Sequence, residues 1–262
     1  MNKLVKLAIE ASIKAGEEIL RIYNQDFDVE YKNDSSPLTI ADKNANDIIM
    51  SFLKETNIPI ISEENKQLDY STRKNWSKCW IVDPLDGTKE FIKKNGEFTV
   101  NIALIENDKP IIGVIYVPVT KELYIGIVPE NKSYKVIIND VFNLNNIFTK
   151  NNLIEPKNTN KIIKIVGSRS HMNKETESFV NELKQKNTIK IISKGSSLKF
   201  CLIAEGKADI YPRFAPTMEW DTAAGQAICE AVGLQVISKE TNEPLLYNKE
   251  NLLNPYFIVN NS

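Results

Sequence analysis

The chain has 262 residues, 42% of them hydrophobic, which is enough for one large domain or two closely packed halves. Its 33 basic and 34 acidic residues give a net charge of −1, which argues against a polybasic nucleic-acid-binding protein or a membrane-surface protein. The N-terminus lacks the apolar core of a secretory signal, and no apolar run approaches the ~18 residues of a membrane span.

The three cysteines, Cys79, Cys201 and Cys229, are far apart, odd in number and without C-x-x-C spacing. This usage is typical of buried thiols in a reducing compartment. We therefore predict a cytoplasmic protein without an integral membrane segment, and peripheral association with the inner membrane is left open.

The first half of the chain begins with helical patterns and continues with strands. Apolar residues recur at three- and four-residue steps over 3–24, and a second helix is predicted from Thr39 onwards. Short strands at 58–62 and 80–83 each run into acidic residues. A meander of three further strands is predicted at 97–105, 110–117 and 122–128.

The second half alternates between strands and helices. Strands are predicted at 161–170, 190–193, 208–214, 234–237 and 256–259. Helices are predicted at 175–186, at 195–206 with Ser196 at its start, and at 220–233 with Asp221 at or near its N-cap. These patterns predict an α/β chain of stacked layers. Residues 1–150 would form an antiparallel sheet with helices, and residues 151–262 a smaller α/β part packed on it as one compact unit.

Carboxylates follow several of the predicted strands. Glu63 follows one strand, Asp83 ends a second, Asp86 lies in the DPLD turn after it, and Asp221 lies at a helix start. Each acid alone is an ordinary cap or turn residue, but Pro84 would stiffen the turn and fix the two aspartates. Clustered carboxylates repel one another unless cations neutralise them, and hard oxygen ligands suit Mg²⁺ or Mn²⁺. With one histidine in the chain, a His-built zinc site is not available.

Gly87 and Thr88 follow the acids and open a short predicted helix. The N–H groups at a helix N-terminus attract phosphate. Metal carboxylates beside phosphate-binding amides predict metal-assisted hydrolysis of a phosphoester. The Thr88 hydroxyl could contact the attacking water, and it would need a carboxylate behind it to act as a base.

Four separated motifs resemble those of the inositol monophosphatase superfamily, which are Mg²⁺-dependent, lithium-sensitive phosphatases. They are TIAD at 39–42, Glu63-Glu64, DPLDGT at 83–88 and WDTAAG at 220–225. Longer blocks resemble the bacterial CysQ-type 3′(2′),5′-bisphosphate nucleotidases: residues 83–104, SRSH at 168–171 and residues 195–213. The resemblance runs from about residue 3 to 258. It weakens at 127–160, where the usual Gly-rich hairpin is absent.

The resemblance implies an inositol monophosphatase-like fold and a metal site of two or three Mg²⁺ ions, with Mn²⁺ as a substitute. Glu63, Asp83 and the Leu85 carbonyl would hold one ion, and Asp83, Asp86 and Asp221 a second. Asp42, Thr88 and Glu63 would be the catalytic residues, with the Thr88–Asp42 dyad activating the attacking water.

The resemblance also implies a substrate site. The reacting phosphate would lie against Glu63, Leu85, Asp86, Gly87, Thr88 and Asp221. Ser196 and Lys199, three apart on one predicted helix, would grip the phosphate that is not cleaved, together with Arg213. His171 would lie near the nucleotide, although a lone histidine in a polar loop is often only solvated.

The implied activity is hydrolysis of adenosine 3′,5′-bisphosphate to AMP and phosphate, with the sulfonated analogue as a further substrate, in sulfate assimilation. Two alternatives are an inositol or sugar monophosphatase and a catalytically inactive nucleotide-binding sensor. The expected partner is a small-molecule nucleotide bisphosphate and not a nucleic acid, and the chain would be a monomer or a homodimer.

Overall fold

A computed structural model of the chain describes residues 3–25, 29–31, 37–139, 143–156, 162–167 and 173–260. The helices in these ranges are α1 (Lys3–Tyr23), α2 (Ile40–Leu53), α3 (Tyr70–Arg73), α4 (Thr88–Ile92), α5 (Lys174–Lys184), α6 (Leu198–Ala204) and α7 (Glu219–Glu230). None of them is both long and apolar enough to cross a membrane.

The first strands of the described chain form a small hairpin and a six-stranded sheet. They are β1 (Val29–Tyr31), β2 (Pro37–Thr39), β3 (Ile60–Ser62), β4 (Lys78–Asp86), β5 (Thr99–Glu106), β6 (Lys109–Val117), β7 (Glu122–Ile127) and β8 (Lys132–Ile137). A five-stranded sheet follows, made of β9 (Ile162–Gly167), β10 (Thr188–Ser193), β11 (Ile210–Arg213), β12 (Gln235–Ser238) and β13 (Phe257–Asn260).

The large sheet has the order β3-β4-β5-β6-β7-β8. The predicted meander is confirmed for β5 to β7, and antiparallel pairing extends it to β4 and β8, whereas β3 pairs with β4 in parallel. Strand β8 was not predicted, because polar residues dilute its pattern. Only Ser133 and Tyr134 of β8 are buried.

Both faces of the large sheet are covered. Val100, Ile102 and Leu104 of β5 pack in one core with α1 and α2. The alternate residues Ala103 and Ile105 pack in a second core with α6 and α7. Because side chains alternate across a strand and both faces are buried, the strand reads as a nearly continuous apolar run.

The small sheet has the order β10-β9-β11-β13-β12 and lies on the far side of α6 and α7. Its outer face packs against α5, where Ile165 and Ile210 contact Val180. The described chain therefore stacks helices, sheet, helices, sheet and helix in five layers, and the predicted layered α/β fold is confirmed. The division of the chain near residue 150 stays a prediction.

The DPLD segment differs from its prediction as a turn. Strand β4 continues through it to Asp86, which pairs with Thr99, and the register with β5 shifts between Asp83 and Asp86. Proline has no N–H to donate to a ladder, so Pro84 fits a strand only where such an irregularity occurs. The shift keeps both aspartates at the end of one buried strand.

Helix α7 crosses the large sheet at two glycines. A Cβ on Gly113 would lie 2.3 Å from the Ala224 carbonyl oxygen, and one on Gly126 would lie 2.6 Å from that of Ala227. Both contacts are with backbone, which cannot turn aside as a side chain can. The absence of a side chain at these positions therefore sets the distance between α7 and the sheet.

We expect Gly113→Ala to destabilise the chain and to displace α7, because overpacking against a fixed backbone costs about 3 kcal/mol. Gly233→Ala is the matched control: its Cβ would meet nothing within 4 Å, although its φ is +84°. The control should cost only about 1 kcal/mol, from the left-handed backbone. Urea unfolding of both variants would measure the difference, and equal losses would contradict the close-approach argument.

Candidate active site

A polar cavity of about 400 Å³ lies where the ends of β4 and β11 meet the starts of α4, α6 and α7. Most of the predicted site residues line it: Glu63, Asp83, Leu85, Asp86, Gly87, Thr88, Ser196, Lys199, Arg213 and Asp221. Asp42 lies behind it, in contact with Thr88. His171 and the SRSH segment lie outside the described residues.

Three carboxylates meet at the base of the cavity. Ligand oxygens of Asp83, Asp86 and Asp221 all lie within 4.8 Å of one another. Asp83 is 1% exposed and accepts a hydrogen bond from the Leu85 N–H at 3.0 Å. Glu63 lines the same cavity outside this closest set. Closely spaced hard oxygen donors are the ligands that Mg²⁺ or Mn²⁺ prefers, so the residues present fit a divalent metal site.

Burial and mutual repulsion disfavour negative charge in this cluster. Burial, followed by the charges of Glu63, Asp86 and Asp221, raises the pKa of Asp83 well above its usual range. Burial, followed by the charge of Asp86, raises the pKa of Asp221 to about 8. Without a cation the site would therefore hold protons near neutral pH.

The predicted Thr88–Asp42 pair is formed. Thr88 is the first residue of α4, after Gly87 at φ +94°, and its Oγ1 lies 3.1 Å from Asp42 Oδ1 and 3.4 Å from the Leu85 carbonyl oxygen. Asp42 Oδ2 accepts from the N–H and the hydroxyl of Thr39, both at 2.7 Å. The N-terminal cap of α2 thus fixes the carboxylate that contacts Thr88. Burial raises the pKa of Asp42.

Asp221 is held by the start of α7. It is the third residue of the helix, not its N-cap, and its Oδ2 accepts from the Met218 N–H at 2.8 Å. The preceding Glu219 is fully buried and accepts from the Asn248 N–H and from Lys249 Nζ, both at 2.6 Å. The loop after β12 therefore anchors the helix end that carries Asp221.

Lys199 and Arg213 are cationic side chains that line the same cavity. Lys199 Nζ donates to the Ser196 carbonyl and lies 5.5 Å from the centre of the Tyr211 ring. Burial lowers the pKa of Lys199 to about 8, and the nearby positive charge of Arg213 adds to this effect. Arg213 Nη2 donates to the Pro216 carbonyl at 3.0 Å, and among the described residues its buried Nε has no hydrogen-bond partner.

The sequence predicts Ser196 at the start of the helix, and this prediction is wrong: α6 begins at Leu198. Ser196 precedes the helix at φ +52°, and Ser197 is the N-cap residue without a side-chain cap bond. Ser196 and Lys199 therefore do not share a helix, although they are in contact. The Ser196 hydroxyl bonds to Asp86 and contacts Thr99, and the Ser197 hydroxyl also contacts Thr99.

Sequence reasoning missed Thr99 and Asn101 of β5. Both are buried, and both contact the Ser196-Ser197 segment or Asp86. The sequence pattern that could have pointed to them is a pair of polar residues at alternate positions of an otherwise apolar strand.

Comparison with known proteins gives one consistent family. Residues 1–258 match the inositol monophosphatase family. The 3′(2′),5′-bisphosphate nucleotidase CysQ of Shigella flexneri is 43% identical over 250 residues, which cover 94% of each chain. The crystal structure of CysQ from Bacteroides thetaiotaomicron, a bacterial member of the inositol monophosphatase family, has a TM-score of 0.87 and 49% identity, covering 98% of this chain and 96% of that one.

A more distant structure shares the fold alone. The extragenic suppressor protein SuhB from Bartonella henselae has a TM-score of 0.76 at 22% identity, covering 100% of this chain and 94% of that one.

The raised carboxyl pKa values predict how the metal-free protein responds to pH. Between the ordinary pKa of an aspartate and the value of about 8 for Asp221, the folded chain keeps a proton that the unfolded chain releases. The contribution of Asp221 to the free energy of unfolding is therefore fully present at low pH and is lost as the pH rises towards 8. We expect the Tm of the metal-free protein to fall between about pH 5 and pH 8, and Asp221→Asn to reduce that fall.

Thermal unfolding in a chelator at several pH values would measure the effect. Saturating Mg²⁺ should remove most of the dependence, because bound metal replaces the protons. A Tm that falls equally in Asp221→Asn would contradict the assignment to this carboxyl.

Proposed function

The chain belongs to the inositol monophosphatase family and is a phosphatase, and from this membership we propose that it is a 3′(2′),5′-bisphosphate nucleotidase. Its substrate would be adenosine 3′,5′-bisphosphate, hydrolysed to AMP and phosphate. The sulfonated analogue, 3′-phosphoadenosine 5′-phosphosulfate, would be a further substrate. The identity of more than 40% to CysQ proteins over 94% of the chain supports this reaction.

The observation that carries the proposal is that one cavity is lined both by clustered carboxylates and by cationic side chains. Asp83, Asp86 and Asp221 lie together, while Lys199 and Arg213 line the same cavity. Two neighbouring cations repel each other and gain most from an anionic ligand. A substrate with one phosphate at the carboxylates and a second at the cations fits both groups, whereas a monophosphate would leave the cations unused.

Members of this family are metal-dependent phosphatases, and we propose that the metal here is Mg²⁺, with Mn²⁺ as a substitute. Glu63, Asp83 and the Leu85 carbonyl would hold one ion, and Asp83, Asp86 and Asp221 another. Two or three ions would bind. When bound, such ions stabilise charge on the phosphoryl oxygens and lower the pKa of water.

The protein residues would supply orientation and proton transfer. Thr88 Oγ1 donates to Asp42 Oδ1, so its lone pairs can accept a hydrogen bond from the attacking water, and as Thr88 took up the water's proton its own proton would pass to Asp42. Asp42 in turn is fixed by the two Thr39 donors. Gly87 and Thr88 would lie against the reacting phosphate, and Ser196, Lys199 and Arg213 against the other. The role of His171 at the nucleotide stays a prediction.

Assembly and cellular location are further parts of the proposal. We propose a monomer or a homodimer that acts on a small-molecule nucleotide and on no nucleic acid. The three described cysteines are free and buried, in keeping with a reducing compartment. Location in the cytoplasm stays a prediction, and so does any association with the inner membrane.

We expect Asp83→Asn to abolish nearly all activity and to weaken Mg²⁺ binding. The substitution keeps the shape and removes the charge that would be shared by two ions. Such a loss should lower kcat by about a hundredfold or more. Phosphate release at saturating Mg²⁺ measures this, with the exposed Asp69→Asn as control. A variant that kept more than about a tenth of the wild-type kcat would contradict the bridging role.

The test of the proposed function is phosphate release from a substrate panel with and without Mg²⁺. The panel holds adenosine 3′,5′-bisphosphate, its 2′,5′ isomer, the sulfonated form and inositol 1-phosphate. We expect metal-dependent release, with the highest kcat/KM on a nucleotide bisphosphate. Highest efficiency on inositol 1-phosphate would favour the inositol monophosphatase alternative, and nucleotide binding without hydrolysis would favour the sensor.

Lys199→Ala and Arg213→Ala test which residues contact the second phosphate. A charge-assisted bond to phosphate contributes roughly 1.5–3 kcal/mol, so KM for the bisphosphate should rise about ten- to a hundredfold. Activity on inositol 1-phosphate should barely change, and the exposed Lys190→Ala should affect neither substrate. Equal losses on both substrates would show that these side chains serve the fold or the reacting phosphate.

A further inference from the structure

One oxygen of Asp86 receives all the hydrogen bonds described for this carboxylate. Asp86 Oδ2 accepts from Ser196 Oγ at 2.6 Å, from the Ser197 N–H at 2.6 Å and from Asn101 Nδ2 at 3.4 Å. Behind these donors, Thr99 Oγ1 lies 2.6 Å from Ser196 Oγ and 2.7 Å from Ser197 Oγ. Strand β5 and the segment before α6 thus meet on one side of the carboxylate.

The directions of these hydrogen bonds follow from the number of protons available. Ser196 Oγ donates its one hydrogen to Asp86 Oδ2. The hydrogen in the contact between Ser196 and Thr99 therefore comes from Thr99. Thr99 Oγ1 also lies at donating distance, 2.9 Å, from Asn101 Oδ1, an oxygen that the Ser197 hydroxyl reaches at 2.8 Å. With Ser197 donating to Asn101, the hydrogen of Thr99 serves Ser196.

This chain of donors therefore points one way, from Thr99 through Ser196 to Asp86. Thr99 is fully buried, and Ser197 and Asn101 are nearly so. Water cannot easily replace a buried donor, and leaving its partner unsatisfied costs more than the bond itself contributes. None of the described hydrogen bonds reaches the other oxygen of Asp86, which leaves that oxygen available to an ion held with Asp83 and Asp221.

We propose that Thr99 is a positioning residue for the metal site, acting on Asp86 through Ser196. This inference rests on the proposed function, because it requires that Asp86 binds a divalent cation. Thr99 itself touches neither metal nor substrate. Its hydroxyl holds Ser196 in the orientation that donates to Asp86, and so keeps one carboxylate oxygen ready for the ion.

Titration calorimetry with Mn²⁺, without nucleotide, tests this in the full-length chain. Thr99→Val keeps the shape and removes the hydroxyl, whereas Thr99→Ser keeps the hydroxyl. Residues that orient metal ligands typically change affinity 10- to 100-fold, so Thr99→Val should bind Mn²⁺ about tenfold or more weakly and Thr99→Ser within about twofold of wild type. In the activity assay, Thr99→Val should raise the half-saturating Mg²⁺ concentration and keep kcat near wild type at saturating Mg²⁺.

Two outcomes would overturn the inference alone: wild-type Mn²⁺ affinity in Thr99→Val, or an equal loss in Thr99→Ser, which would assign the effect to packing. If Thr99→Val does not fold, as judged by its thermal transition, Ser196→Ala is titrated instead. It removes the donor next to Asp86, and wild-type affinity there would also overturn the inference. A wild-type chain that binds no Mn²⁺ would overturn the proposed metal-dependent function and this inference together.

Discussion

Repulsion among closely spaced carboxylates is the constraint on which this site depends. Asp83, Asp86 and Asp221 bring oxygens within 4.8 Å of one another, and burial with mutual charge raises the pKa of Asp83 and Asp221. A fold holds such groups together only if the surrounding structure fixes them and a cation neutralises them. The raised carboxyl pKa values and an oxygen set that fits a metal ion are two consequences of the same geometry.

The five-layer architecture fixes the cluster by burying its supports on both sides. The end of β4 carries Asp83 and Asp86 between two apolar cores, and α7 brings Asp221 to them across Gly113 and Gly126. Thr39, at the cap of α2, holds Asp42 against Thr88 from the opposite side of the sheet. Helices from both faces of one sheet therefore determine where the carboxylate oxygens of the cavity lie.

The second half of the chain adds cationic side chains and hydrogen-bond donors to the carboxylates of the cavity. It contributes Lys199 and Arg213 to the cavity, and Ser196 and Ser197 to the Asp86 carboxylate. Ser196 is common to both groups, because its hydroxyl donates to Asp86 while its carbonyl accepts from Lys199. The carboxylate cluster and Lys199 are thus joined through one residue.

The sequence by itself determined the features that depend on local order. Periodicity located most helices and strands, and the motifs around Glu63, Asp83, Asp86 and Asp221 indicated the chemistry before any geometry was known. Sequence-based prediction was wrong where residues distant in the chain but close in space determine the local conformation. The DPLD segment continues as strand because β5 pairs with it, and Ser196 leaves the helix because its hydroxyl bonds to Asp86, 110 positions away.

Only the tertiary structure decided the roles of Thr99 and Asn101. In sequence they are two polar interruptions of a strand, and their partners Ser196 and Ser197 are about 100 positions away. The raised carboxyl pKa values and the three hydrogen bonds on one oxygen of Asp86 were equally hidden. Desolvation and hydrogen-bond direction depend on every group packed around an atom, and the order of residues along the chain does not specify those groups.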